Sequence, residues 1–81
     1  MNSDTVNVRF IGGVVHSETH TMPINNSAVV DVPFLEKDGM YRCRYWLHEI
    51  DGRHYLIERT MDMIDARAWV DKWLLRERKM Q

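Results

Sequence analysis

The chain has 81 residues, with 11 Lys and Arg against 12 Asp and Glu and a net charge of −1. That length suits one hydrophobic core and falls short of the size at which chains divide into domains; an apolar share of 44% and a charged share of 28% belong to a folding chain rather than a disordered one. So even a balance supplies no global field for nucleic acid or an anionic membrane, and a charged partner has to be met by a local patch.

In chain order, Val6, Val8 and Phe10 alternate with Asn7 and Arg9, a period of two that predicts a half-buried strand over Thr5 to Ile11, and Gly12-Gly13 open a turn that runs to Ser17. Before this strand there is no apolar run of signal-peptide type, and nowhere does the chain approach the ~20 apolar residues of a membrane span. The Thr-rich stretch from Glu18 to Ile24 reads as the return strand of a first hairpin (residues 5–24), its end forced to an edge or exit by Pro23. Asn25 to Ser27 is a loop, and Ala28 to Val32 is a short β-branched strand that Pro33 stops.

The sharpest local signal is a second hairpin over residues 40–59. Two apolar-aromatic runs, Met40 to Ile50 and Arg53 to Arg59, flank Asp51-Gly52, a dipeptide that tolerates the positive φ angles of a type I′ turn. Counting back from that turn pairs Ile50 with Arg53, His48 with Tyr55, Leu47 with Leu56 and Trp46 with Ile57. One face then carries Tyr41, Cys43, Tyr45, Leu47 and Leu56; the other carries Arg42, Arg44, Trp46, His48, Ile50, Arg53, Tyr55, Ile57 and Arg59. Both are partly apolar and both need cover.

From 62 to 78 the period becomes helical. Asp62 is the N-cap, Asp65 follows three residues later, and Arg76, Arg78 and Lys79 sit where cations complement the helix dipole. Met63, Ala66, Val70, Trp73 and Leu74 make one apolar stripe, with Trp69 and Leu75 off its centre.

Residues that could carry chemistry do not assemble into a motif. His16 and His20 are four apart on turn and strand, where that spacing does not converge on a metal, and His48 and His54 fall on opposite faces of the second hairpin. Cys43, the only cysteine, cannot form an internal disulfide, which favours a reducing compartment such as the cytosol; on the core face it behaves as a small hydrophobe. Gly12-Gly13 lack the GxGxxG or GK[ST] context of a phosphate loop.

Two surfaces have a positive case. Arg42, Arg44, Arg53 and Arg59 with Trp46 and Tyr55 form the composition by which single strands are bound, phosphates by guanidinium and bases by stacking. Trp69, Trp73 and Leu75 on the helix form the composition of a partner or subunit interface, where tryptophan serves as an anchor.

The segment Val8-Arg9-Phe10-Ile11-Gly12-Gly13-Val14-Val15-His16-Ser17, with its Thr-rich return to Pro23 and the later Tyr41-Arg42 and Tyr55, resembles the opening of small phage and prophage proteins. In those, V-x-F-x-G-G-P-x-D-G precedes a strand ending in proline, then a β-hairpin and often a short helix. Here Val14 stands for the proline and His16-Ser17 for the Asp-Gly. The resemblance implies a phage or mobile-element origin and no catalytic residues.

The expectation is thus an α+β fold of antiparallel hairpins, four or five short strands packed on one C-terminal helix. Its function is expected to be non-enzymatic, without cofactor or metal, in a bacterial cytosol and off the membrane: binding a host or phage protein through Trp69, Trp73 and Leu75. The alternative is a nucleic-acid module using Arg42, Arg44, Trp46, Arg53 and Tyr55. Because so short a chain covers its own apolar surface poorly, a homo-oligomer, most simply a dimer through the Trp69 face or an edge strand, is expected as well.

Overall fold

In the computed structural model, residues 5–23 and 29–79 are described. The protein is α+β: strands β1 (Thr5–Ile11), β2 (Thr19–Pro23), β3 (Val29–Glu36), β4 (Gly39–Ile50) and β5 (Arg53–Glu58) form one sheet, followed by helix α1 (Met63–Lys79). The spatial order is β2-β1-β5-β4-β3, with β1–β2, β3–β4 and β4–β5 antiparallel and β1–β5 parallel. The parallel pair, Val8–Ile11 beside His54–Ile57, was not expected from the hairpin pattern.

The β4–β5 hairpin has the expected register and turn. Ile50 faces Arg53, His48 faces Tyr55, Leu47 faces Leu56 and Trp46 faces Ile57; Asp51 and Gly52 take φ of 54° and 81°, as a type I′ turn requires. The β1–β2 hairpin closes differently. Ser17 N donates to Phe10 O at 2.8 Å while Phe10 N donates to Glu18 O at 2.9 Å, and Ser17 has φ 71°. This is a bulge of the kind that normally places glycine at its left-handed residue; serine fills the position here.

Pro33 does not stop the third strand, contrary to expectation. The β3–β4 turn is the two residues Lys37 and Asp38, so Glu36 and Gly39 form the hydrogen-bonded pair next to it and Phe34, Val32 and Val30 also turn their backbone groups toward β4. Pro33 therefore points its missing N–H outward from an edge strand, where no ladder bond is lost. By the same alternation, counted from the Phe10 bulge, Pro23 points outward from the opposite edge. Ile24, the Asn25–Ser27 loop and Ala28 lie outside the described residues. Since β4 pairs with β5 only from Tyr45 onward, β3 and the first half of β4 extend beyond the sheet as a two-stranded ribbon, with Leu35, Met40 and Tyr41 exposed toward its tip.

Both faces of the central strands are buried although the described residues contain only one helix. Against the helix side lie Ile11, Ile50, Tyr55 and Ile57, packed on Ala66, Val70 and Trp73. On the other side Val8, Phe10, Tyr45 and Leu56 are covered by Met22 from one edge strand, Val30 and Val32 from the other, and Val15 from the glycine loop. The sheet curls over itself to cover that face. The helix begins as its sequence predicts, with Ile64 N donating to the Asp62 carboxylate at 2.9 Å. Its stripe needs one correction: Met63 is 45% exposed, because the first turn overhangs the packed strands.

Tyr45, fully buried, ties the glycine loop to the sheet. Its hydroxyl donates to Gly12 O at 2.7 Å and accepts from Val15 N at 3.3 Å, and burial raises its pKa far above that of a free phenol, with Cys43 contributing. Gly13 passes directly over this contact with φ 69°: a Cβ there would lie 2.3 Å from the Tyr45 hydroxyl oxygen and 2.6 Å from Cys43 Sγ. Gly52 has equally positive φ but nothing within 4 Å of the corresponding position. Gly52→Ala should therefore cost only the left-handed conformation, about 1 kcal/mol, whereas Gly13→Ala adds overpacking and should cost about 3 kcal/mol. Urea denaturation of the two variants measures the difference, and equal losses would show that the loop does not close on Tyr45.

Candidate functional site

The helix crosses β1, β5 and the hairpin end of β4 but leaves the other end of β4 open. On that open part of the sheet Trp46 is 47% exposed. It borders a concavity of about 200 Å³ lined also by His48, Ile57, Glu58, Arg59, Met61 and Met63. Ile64, next along the helix, is 77% exposed. Trp46 and Met63 thus meet solvent together across this concavity, where the overhanging first turn of the helix faces the strand.

Arg59 lines this concavity, and Arg44 and Arg42 follow Trp46 at alternate positions back along β4. Arg44 is held by Asp31 through two hydrogen bonds of 2.9 and 3.2 Å, which also draw the Asp31 carboxyl below its ordinary pKa. Arg42 and Arg59, both exposed, have no hydrogen bond or ion pair among the described residues. The surface thus has an exposed indole and thioether with the Arg59 cation in its lining, and the Arg42 cation lies further along β4.

The residues expected to form a nucleic-acid face are divided by the helix. Arg42, Arg44 and Trp46 stay together on the open part of the sheet, joined by Arg59. Tyr55 is 4% exposed beneath the helix, its ring stacked on Trp73 at 6.4 Å and 22°, so no base can stack on it. Arg53 lies at the hairpin turn, bonded to Glu77 at 2.8 Å.

The tryptophans of the expected interface are likewise occupied within the chain. Trp73 is 5% exposed, with the Arg9 guanidinium 3.8 Å from its ring centroid and Trp69 at 5.8 Å. Trp69, half-buried, lies between the His16 ring at 4.4 Å and the Lys72 ammonium at 4.9 Å. Only Leu75 is exposed as an interface residue would be. Nothing local in the sequence marks Arg9 or His16 as partners of the helix; the parallel pairing of β1 with β5 carries them there. Among the described residues no three or more His, Cys, Asp or Glu gather as metal ligands, and no helix is long and apolar enough to cross a membrane.

His16 fastens the glycine loop to the helix. Gly12 N donates to its Nδ1 at 2.7 Å, so that nitrogen must be unprotonated, and the ring rests on Trp69 and Trp73. Burial, and then the charge of Arg9, lower its pKa below the ordinary 6.5. The unfolded chain therefore takes up this proton more readily than the folded one. The resulting stabilisation is complete above pH 6.5 and is lost as the pH falls through the lowered folded-state value. His16→Asn, which offers an amide oxygen where Nδ1 stands but does not titrate, should lose less stability than the parent chain between pH 7.5 and 5. Parallel pH series of melting temperatures would reject this role for His16 by showing the same slope for both proteins.

Compared with known proteins, the chain matches no family model, no curated protein and no solved structure.

Proposed function

We propose that this is a non-enzymatic interaction protein whose docking surface is the open part of the sheet centred on Trp46. The observation that carries this reading is the exposure of Trp46 beside Met63 over a shallow concavity. A buried aromatic anchor with aliphatic neighbours is the composition of a binding hot spot, and exposing it to water in the free protein has no stabilising role in the fold. The unpaired Arg42 and Arg59 give the partner its chemistry: a protein surface with an apolar projection flanked by carboxylates. The N-terminal resemblance to phage and prophage proteins supports looking for that partner in a bacterial cytosol.

The same arginines around an exposed indole favour one second reading, a single strand of nucleic acid stacked on Trp46. Salt and nuclease separate the two. The chain is immobilised and exposed to bacterial lysate, and the captured partner is then purified and titrated. For a protein partner, capture survives nuclease, Trp46→Ala weakens affinity by at least about tenfold, and affinity falls only modestly between low and moderate salt as the arginine–carboxylate contacts are screened. For nucleic acid, nuclease abolishes capture and affinity falls steeply with salt. Trp46→Ala leaving affinity unchanged would dismiss the surface under both readings. If sedimentation shows a dimer that Trp46→Ala dissociates, the partner is a second copy of the chain.

A further inference from the structure

A cleft of about 540 Å³ opens at the β4–β5 turn, away from Trp46, where β1 runs on past the beginning of β5. Its walls include Arg9 from β1, Arg53 and Tyr55 from β5, and Trp73 and Glu77 from the helix. We infer that this cleft binds the oxyanion group, carboxylate or phosphate, of a small molecule. The volume lies in the range of small-molecule sites, and flat aromatic and aliphatic walls with a few convergent polar groups are their usual lining.

The donors are in place and uncommitted. Arg9 uses only Nε, donated to Ser17 O at 3.2 Å, and its plane is fixed against Trp73. Arg53 uses only Nη1, donated to Glu77 Oε2 at 2.8 Å. The remaining guanidinium N–H groups of both have no partner among the described residues.

Tyr55 supplies the independent observation. Its side chain is almost wholly buried, yet its hydroxyl bonds to nothing among the described residues and is not sealed from solvent. It lines the cleft with Arg9, Arg53 and Glu77, each close enough to influence its ionisation. A phenol hydroxyl open to the cleft, without a protein partner among the described residues and with two guanidinium groups lining the same walls, is a donor available to an entering acceptor.

Glu77 fits the same scheme as a competitor: its carboxylate occupies one donor of Arg53, and the hydrogen bond from Arg53 holds its pKa below the ordinary carboxylate value. An incoming oxyanion displaces it.

The test is titration of the full chain with benzoate and, separately, inorganic phosphate at fixed ionic strength, followed by amide and indole NMR shifts. Saturable shifts should map to Arg9, His54 and the Trp73 indole. Tyr55→Phe, which removes a hydroxyl the fold does not use, should weaken binding about tenfold. Arg53→Gln should weaken it similarly, and Glu77→Gln, which removes the competitor, should tighten it several-fold. Binding of benzoate alone assigns a carboxylate and of phosphate alone a phosphoryl group, and either upholds the site. No saturable shift up to about 20 mM of either probe, or affinity that Tyr55→Phe and Glu77→Gln leave unchanged, overturns it.

Discussion

Four residues of parallel pairing, Val8–Ile11 with His54–Ile57, hold the two parts of this chain together. Each part alone is a hairpin system with one face to spare: β1–β2 on one side, β3–β4–β5 with the helix on the other. Pairing brings Ile11 beside Ile57 under the helix and Phe10 beside Leu56 on the opposite side. Both clusters of buried side chains draw on the two parts, so neither is complete without this contact. The glycine loop depends on it too, because Gly12 reaches Tyr45, and His16 reaches Trp69, only when β1 lies next to β5. The cleft beneath the β4–β5 turn is the gap that remains where β1 outruns its neighbour.

What the sequence discloses follows from how local each contact is. Asp51-Gly52 determine a turn, and a two-residue turn determines the pairing of every residue behind it, so the β4–β5 hairpin could be written down to its individual pairs. The helix is similarly local, from the Asp62 cap to its basic end. The β3–β4 ribbon was harder to place: its turn is Lys37-Asp38, so counting from the neighbouring Asp38-Gly39 signal would pair Lys37 with Met40 instead of Glu36 with Gly39, and Pro33 read as a stop. A proline in a strand is a stop only if its N–H is needed, and that depends on which neighbour the strand has.

The candidate surfaces were less legible for the same reason. Trp46, Tyr55, Trp69 and Trp73 are alike in a sequence, being aromatic residues on amphipathic elements. Their separation into one exposed ring and three covered ones follows from where the helix lies over the sheet, which is set by the pairing of strands more than forty residues apart. Arg9 carries no local sign that it will stack on Trp73. Charge was misleading in its own way: Arg44 is held by Asp31 through two hydrogen bonds, Arg53 gives one donor to Glu77 and keeps the rest, and the side chains of Arg42 and Arg59 make no hydrogen bond or ion pair among the described residues.

The strand order also governs how the chain reaches this state. Hairpins β3–β4 and β4–β5 join close neighbours and can form in microseconds once their residues are present, but β1 has no place in the sheet until β5 exists, and the loop between Val8 and His54 has to close before either buried cluster is filled. During synthesis the N-terminal hairpin is made first and waits longest, with Val8, Phe10 and Ile11 without their final neighbours. Its Pro23 and the outward Pro33 of β3 are then of use before folding is over, since each removes a donor from a strand edge that another unfinished chain could otherwise adopt as a template.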